Sequence, residues 1–274
     1  MADGKITVRD LKRKHRRNEK IVCITAYDAL FANLFDQCDV DLILVGDSMG
    51  MVILGYPSTI QVTLEQSLHH TAAVVRGTNR AMVVGDMPFL SYQESPQQAL
   101  RNAGRYLQEA GADAVKLEGG TEMAPTVERL VQAGIPVLGH IGLLPQHIAV
   151  EGKIRGYGRT EKEAEKLLAD ARALEQAGAF AIVLEATAIE VTRRISEEIS
   201  IPTIGIGAGP YCSGQIQVCH DILGLFEKFK PRHARQYAQL AGLVRQAVSE
   251  YVQEVRQGQF PTEEHSFHQP SSQS

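Results

Sequence analysis

The sequence predicts an α/β fold, a (β/α)8 TIM barrel in a single domain. Three observations point to it. Short apolar runs rich in β-branched residues recur eight times along the 274-residue chain. Helical patterns fill the intervals between them, and no interior stretch reads as an interdomain linker. Eight strands alternating with helices over roughly 250 residues is the barrel pattern. An open doubly wound sheet is the alternative architecture. No Gly-x-Gly-x-x-Gly follows the first run, which counts against a dinucleotide site there.

The first strand is read at residues 21–27 (IVCITAY), followed by Asp28 as N-cap of ALFANLFDQ. The second lies at 42–47 (LILVGD), and Thr63 then opens LEQSLHHTAAVVRG. The third is 81–86 (AMVVGD). Ser95-Pro96 starts the next helix, with proline at the first helical position and Gly111 just past the end. The fourth and fifth strands are 114–118 (AVKLE) and 137–141 (VLGHI). Thr160-Glu161-Lys162-Glu163 reads as a capping box ahead of EKLLADARALEQAG. The last three strands are 181–185 (AIVLE), 203–207 (TIGIG) and 215–218 (QIQV). Most runs are continuously apolar, which suits strands buried on both faces of a parallel sheet. Gly111, Gly134 and Gly178 each follow an alanine at a helix end, where glycine can take a left-handed cap. An amphipathic helix is expected from about residue 233 to 257. The barrel domain is placed at 1–261 and a polar, fraying tail at 262–274.

Composition narrows the function. The chain is 44% apolar and 22% charged, which excludes wholesale disorder. Its net charge is −4, a poor footprint for nucleic acid. No apolar run reaches the ~18 residues of a membrane span, and the first twenty residues lack the apolar core of a secretory signal. Cys23, Cys38, Cys212 and Cys219 form no CxxC pair, so a reducing cytoplasm is expected.

The chemical signal is positional. Asp47 with Ser48, Asp86, Lys116 with Glu118, His140 and Glu185 all fall at carboxyl ends of apolar strands. In a barrel those ends share one face, where barrel active sites sit. Lys116 and Glu118 are two apart, so both point the same way. Each has a bland alternative. Asp47 and Asp86 could cap turns, Lys116 could pair with Glu118, Glu185 with an arginine, and His140 could be a satisfied core histidine. Six independent structural explanations on one face are improbable. Three carboxylates without nearby soft ligands suit a hard divalent ion, Mg²⁺ first.

Gly205-Ile-Gly-Ala-Gly209 resembles a phosphate loop in position, with tight-turn geometry the favoured explanation. The basic run from Lys12 to Arg17 is read as the solvated face of a short N-terminal helix. Cys212 and Cys219 are read as small buried apolar residues. Residues 142–159, with Gly152, Gly156 and Gly158 among Lys153, Arg155 and Arg159, form a loop long enough to act as a lid or substrate contact.

A dense set of motifs covers nearly the whole chain in order. They are Thr25-Ala-Tyr-Asp28, Val45-Gly-Asp-Ser-Met-Gly50, residues 70–77 (HTAAVVRG), Asp86-Met-Pro-Phe89 with Ser91-Tyr92, and Val115-Lys-Leu-Glu-Gly119. Then follow Gly139-His-Ile-Gly-Leu143 with Pro145-Gln146, Gly158-Arg-Thr160, Val183-Leu-Glu185, residues 204–210 (IGIGAGP), His220-Asp221 with Leu223-Gly224, and Phe260-Pro261 with Glu264-His-Ser-Phe267. On these the chain resembles the ketopantoate hydroxymethyltransferase family of pantothenate and coenzyme A synthesis. The resemblance implies a barrel that needs Mg²⁺ or a similar divalent ion, held by Asp47, Asp86 and Glu118. It implies that Asp47, Ser48, Asp86 and Lys116 contact 3-methyl-2-oxobutanoate, that Glu185 accepts a proton, and that His140 lies near the substrate. The cosubstrate would be 5,10-methylenetetrahydrofolate, the products 2-dehydropantoate and tetrahydrofolate, and the assembly a homodecamer. Ser213, where the family usually carries aspartate, and residues 151–157, without the usual double glycine, depart from the pattern. A carbon–carbon lyase or phosphonate mutase of a related Mg²⁺-dependent barrel stays open as an alternative, as does a non-catalytic binding protein.

Overall fold

The computed structural model describes residues 4–152, 155–229 and 231–269. In chain order the elements are α1 (Val8–Arg16), β1 (Ile21–Thr25), α2 (Ala29–Asp36), β2 (Leu42–Val45), α3 (Met49–Val52), α4 (Leu64–Gly77), β3 (Met82–Asp86), α5 (Pro96–Gln108), β4 (Ala114–Lys116) and α6 (Ala124–Gln132). Then come β5 (Val137–Gly142), α7 (Ile148–Glu151), α8 (Glu161–Gln176), β6 (Ala181–Glu185), α9 (Ile189–Glu198), β7 (Thr203–Ile206), β8 (Gly214–Gln217), α10 (Cys219–Ile222) and α11 (Leu240–Arg256). Each strand pairs in parallel with the next, and β8 pairs with β1, so the sheet closes as a (β/α)8 barrel. Two compact units are distinguished. One lies within Met1–Cys219 and adds Arg232–Ala234, and the other covers His220–Pro231 and Arg235–Ser274.

The continuous apolar runs are explained by burial on both strand faces. Alternate residues such as Leu42, Leu44, Met82, Val84, Leu138, Val183 and Ile204 fill the barrel interior. Their neighbours, Val115, Leu117, Val137, Ile182 and Leu184, pack outward against the helices. The inward set turns polar toward the carboxyl ends. Val84 gives way to Asp86, Ala114 to Lys116, Leu138 to His140 and Val183 to Glu185, each two residues on.

Helix starts follow side-chain chemistry. Asp28, Thr63, Ser95 and Thr160 each accept a hydrogen bond from the main-chain N–H three residues ahead. The capping box expected at Thr160 is only half formed. Glu163 turns its carboxylate to the N–H of Arg159 and to Arg155 instead of to Thr160. Gly111, Gly134 and Gly178 adopt φ of +75°, +86° and +94°, the left-handed caps expected of them.

The basic run is not merely solvated. Leu11 of α1 is buried with the barrel interior residues. Lys14 bonds both oxygens of buried Asp41 at 2.6 and 2.7 Å, and His15 Nδ1 lies 2.8 Å from Ser213 Oγ. Asp41 precedes β2 and Ser213 precedes β8, so α1 closes the amino-terminal face of the barrel. The last helix begins at Leu240, later than residue 233. Before it, the N–H groups of Tyr237 and Leu240 bond the carbonyls of Ile222 and Leu223, which holds the chain off a helical course. The polar tail is exposed over residues 261–269, and 270–274 lie outside the described residues. Among the described residues no helix is long and apolar enough to cross a membrane.

Candidate active site at the carboxyl face of the barrel

Five strands, β2 to β6, and their following loops bring the charged side chains together. Asp86 ends β3, Lys116 ends β4 and Glu185 ends β6, while Asp47 and Glu118 each follow a strand by two residues. His140 lies within β5. Lys116 Nζ grips both Asp86 oxygens at 2.8 and 2.9 Å and stands 3.7 Å from Glu118 Oε1. Asp86 Oδ2 also accepts the Asp47 N–H at 3.1 Å. His140 lies between two glutamates. Its Nδ1 is 3.6 Å from Glu118 Oε1 and its Nε2 is 3.3 Å from Glu185 Oε2. Ser48, half-buried beside Asp47, has its Oγ 2.8 Å from the Tyr27 hydroxyl.

The electrostatics follow from burial. Asp47, Asp86, Lys116, Glu118 and His140 are all less than 5% exposed, whereas the Glu185 side chain keeps 17%. Burial, then Asp86 and Glu118, push the Asp47 carboxyl well above the usual carboxylate range. Burial raises Asp86 too, against the pull of Lys116. Burial works to raise Glu118, but His140 and Lys116 outweigh it and hold the group low. For His140, burial and Lys116 depress the pKa, yet Glu118 and Glu185 prevail and raise it to about 9. The centre thus confines three carboxylates against one lysine and one histidine.

Two residues not singled out for a role in the sequence complete the centre. Gln146, on the turn after β5, donates through Nε2 to Asp47 Oδ2 at 2.9 Å and through its N–H to Glu118 Oε2 at 3.1 Å. Tyr92 offers its hydroxyl to Gln146 Oε1 at 2.8 Å. Gly142 makes room for the neighbouring strand end. Its φ is +99°, and a Cβ there would lie 2.2 Å from the Glu185 carbonyl oxygen.

The donor set fits a hard divalent cation. Asp47, Asp86 and Glu118 are buried oxygen donors, and Glu118 Oε1 has no hydrogen-bond partner among the described residues. Among those residues no three Asp, Glu, His or Cys side chains already converge as a closed metal cluster. Magnesium needs none, since it usually takes one or two carboxylates with waters and substrate oxygens.

A family model described as ketopantoate hydroxymethyltransferase matches residues 5–263. The chain belongs to the ketopantoate hydroxymethyltransferase family. Relatives named 3-methyl-2-oxobutanoate hydroxymethyltransferase agree. One from Chloroflexus aurantiacus is 57% identical over 96% of this chain and 92% of its own length. One from Caldicellulosiruptor saccharolyticus is 52% identical over 96% of this chain and all of its own. Solved structures share the barrel at much lower identity. A phosphonopyruvate hydrolase complex with oxalate and Mg²⁺ is 14% identical, with a TM-score of 0.61 over 97% of this chain and 92% of that chain. A 2,3-dimethylmalate lyase is 16% identical, with a TM-score of 0.58 over 95% and 91%.

In this hydroxymethyltransferase-family barrel the six predicted placements do meet on one face. Residues 142–159 are largely organised: Pro145–His147 form a 3-10 turn, α7 follows, and Tyr157 bonds Ala186 and Ala188 through its main chain at 2.8 Å. The segment delivers Gln146 into the site, and its Lys153 lies outside the described residues. The Gly-rich stretch after β7 is a turn, with Gly207 and Gly209 at φ of +65° and +81°. Ser213 sits at the opposite face, bonded to His15 and Thr203. Cys212 and Cys219 are buried as read.

Proposed function

We propose that the chain transfers a hydroxymethyl group from 5,10-methylenetetrahydrofolate to 3-methyl-2-oxobutanoate, giving 2-dehydropantoate and tetrahydrofolate with one water consumed. The observation that carries this reading is the buried Asp47–Asp86–Lys116–Glu118 cluster beside the His140–Glu185 pair, in a chain of this family. Asp47, Asp86 and Glu118 would hold Mg²⁺ or a similar ion, which when bound supplies Lewis-acid polarisation of the 2-oxo acid. The phosphonopyruvate hydrolase complex, which holds both oxalate and Mg²⁺ on this fold, supports that reading.

The chain's own groups divide the remaining work. Ser48 and Lys116 orient the 2-oxo acid, and Lys116 adds positive charge where the enolate's negative charge develops. Glu185, the least buried carboxylate of the group, takes the C3 proton as general base. His140, 3.3 Å away, stabilises and orients that carboxylate. The consumed water releases the one-carbon unit from both folate nitrogens at the formaldehyde level, leaving tetrahydrofolate; C3 bonds to that carbon, and the new alkoxide takes back the proton held by Glu185. A cytoplasmic setting suits the four free cysteines.

The test is turnover of 3-methyl-2-oxobutanoate with 5,10-methylenetetrahydrofolate, followed as 2-dehydropantoate with and without Mg²⁺. Product that depends on the ion is expected. No product in either condition overturns the reading, and turnover of other 2-oxo acids alone would return the lyase or mutase alternative.

A further inference from the structure

Gln146 is only 1% exposed, and the proposed chemistry gives it no step. Its amide has one possible orientation. Nε2 faces two acceptors, Asp47 Oδ2 at 2.9 Å and the Met87 carbonyl at 3.0 Å. Oε1 faces two donors, the Tyr92 hydroxyl at 2.8 Å and Gln93 Nε2 at 3.2 Å. The Tyr92 hydroxyl in turn accepts the Glu118 N–H at 3.1 Å, and its proton goes to Gln146 in preference to the Glu118 carbonyl at 3.3 Å. The Gln146 N–H closes the ring on Glu118 Oε2 at 3.1 Å.

We propose that Gln146 is a positioning residue, set by Tyr92, that fixes the Asp47 and Glu118 carboxylates for the divalent cation and the 2-oxo acid. This rests on the reading of those two carboxylates as cation ligands. An amide suits the place where other groups do not. It satisfies one oxygen of Asp47 and leaves the other free, and it adds no charge to a centre already rich in carboxylates. A glutamate would put a fourth carboxylate against Asp47. A methionine of similar volume would fill the space and leave Asp47 without its donor. Partners that orient metal ligands in this way typically hold ~10–100-fold in metal affinity.

The experiment titrates Mg²⁺ calorimetrically into the full-length protein with saturating 3-methyl-2-oxobutanoate, with thermal unfolding run on every variant. Gln146→Met is expected to weaken Mg²⁺ binding by ~10–100-fold. Tyr92→Phe, which removes one hydroxyl at unchanged shape, is expected to weaken it in the same direction by a smaller factor. A merely structural role would lower the unfolding temperature and leave the affinity alone. Should Gln146→Met fail to fold, Tyr92→Phe carries the test. Asp47→Asn separates the two readings. If it weakens Mg²⁺ binding while Gln146→Met and Tyr92→Phe bind as wild type, the positioning role is overturned and the cation reading stands. If Asp47→Asn itself binds as wild type, the cation reading falls and the positioning role with it.

Discussion

Lys116 carries the charge balance of the barrel mouth. Its ammonium bonds both oxygens of Asp86, and both partners are almost fully buried. Removing one member of a buried pair leaves the other charge uncompensated, which costs ~3–5 kcal/mol. Lys116→Met is therefore expected to lower the unfolding free energy from urea denaturation by an amount in that range, read as a shift of the midpoint. An unchanged midpoint would show that Asp86 finds other compensation. Lys116, Glu118 and Glu185 were legible in the sequence because strands have a period of two. The inward face can be followed until it turns from apolar to charged. Gln146 and Tyr92 were not, because they lie on turns where no period says which way a side chain points. They appeared in the sequence only inside the family motifs Pro145-Gln146 and Ser91-Tyr92. Glu163 shows the complementary failure. The spacing of a capping box was present, but Arg155 and the Arg159 N–H competed for the carboxylate and won.

At the scale of elements, Asp36 joins α2 to the entry of β3. Its carboxylate, at the end of α2, accepts the N–H groups of Asn79, Arg80 and Ala81 at 2.7 to 3.2 Å. Partial burial raises its pKa, but those three donors outweigh it and hold the carboxyl below the usual range. The folded value thus lies below the unfolded ~3.9, so the stabilisation is present above that pH and is lost as pH falls through the folded value. Asp36→Ala is expected to cost ~1 kcal/mol at pH 7, kept small because the side chain is partly in water. Chemical denaturation at pH 7 and near pH 3 checks it. The gap between variant and wild type should narrow in acid, and a constant gap would mean the carboxylate's charge is not what the donors hold. Strand positions were legible to within about two residues at either end, since apolar runs stop where the chain turns. The start of α11 was not, because the hydrogen bonds of Tyr237 and Leu240 to distant carbonyls have no sequence signature.

The whole molecule joins a barrel closed by β8 on β1 to a second unit that carries α11. On α11, Val244, Val248, Tyr251 and Val255 recur at helical spacing and are all exposed. The family resemblance implies a homodecamer, and we propose that this face takes part in self-association. Chains of 30.0 kDa would assemble to about 300 kDa. Sedimentation equilibrium is expected to give that mass, and a 30.0 kDa species at micromolar concentration would contradict it.

In the proposed reaction Glu185 draws the C3 proton from a 2-oxo acid held in this barrel mouth. Enolisation precedes the carbon–carbon bond, so it should run without folate. The decisive measurement is proton NMR of 3-methyl-2-oxobutanoate in D₂O, with protein and Mg²⁺ alone, for wild type and Glu185→Gln. The glutamine keeps the size and polarity of the side chain but cannot accept the proton. Loss of a general base typically costs ~10²–10⁴-fold. Wild type is expected to exchange the C3 proton, and the variant to do so slower by a factor in that range while still binding the 2-oxo acid. Exchange at the wild-type rate in Glu185→Gln would contradict the account and move the base to another group, His140 first.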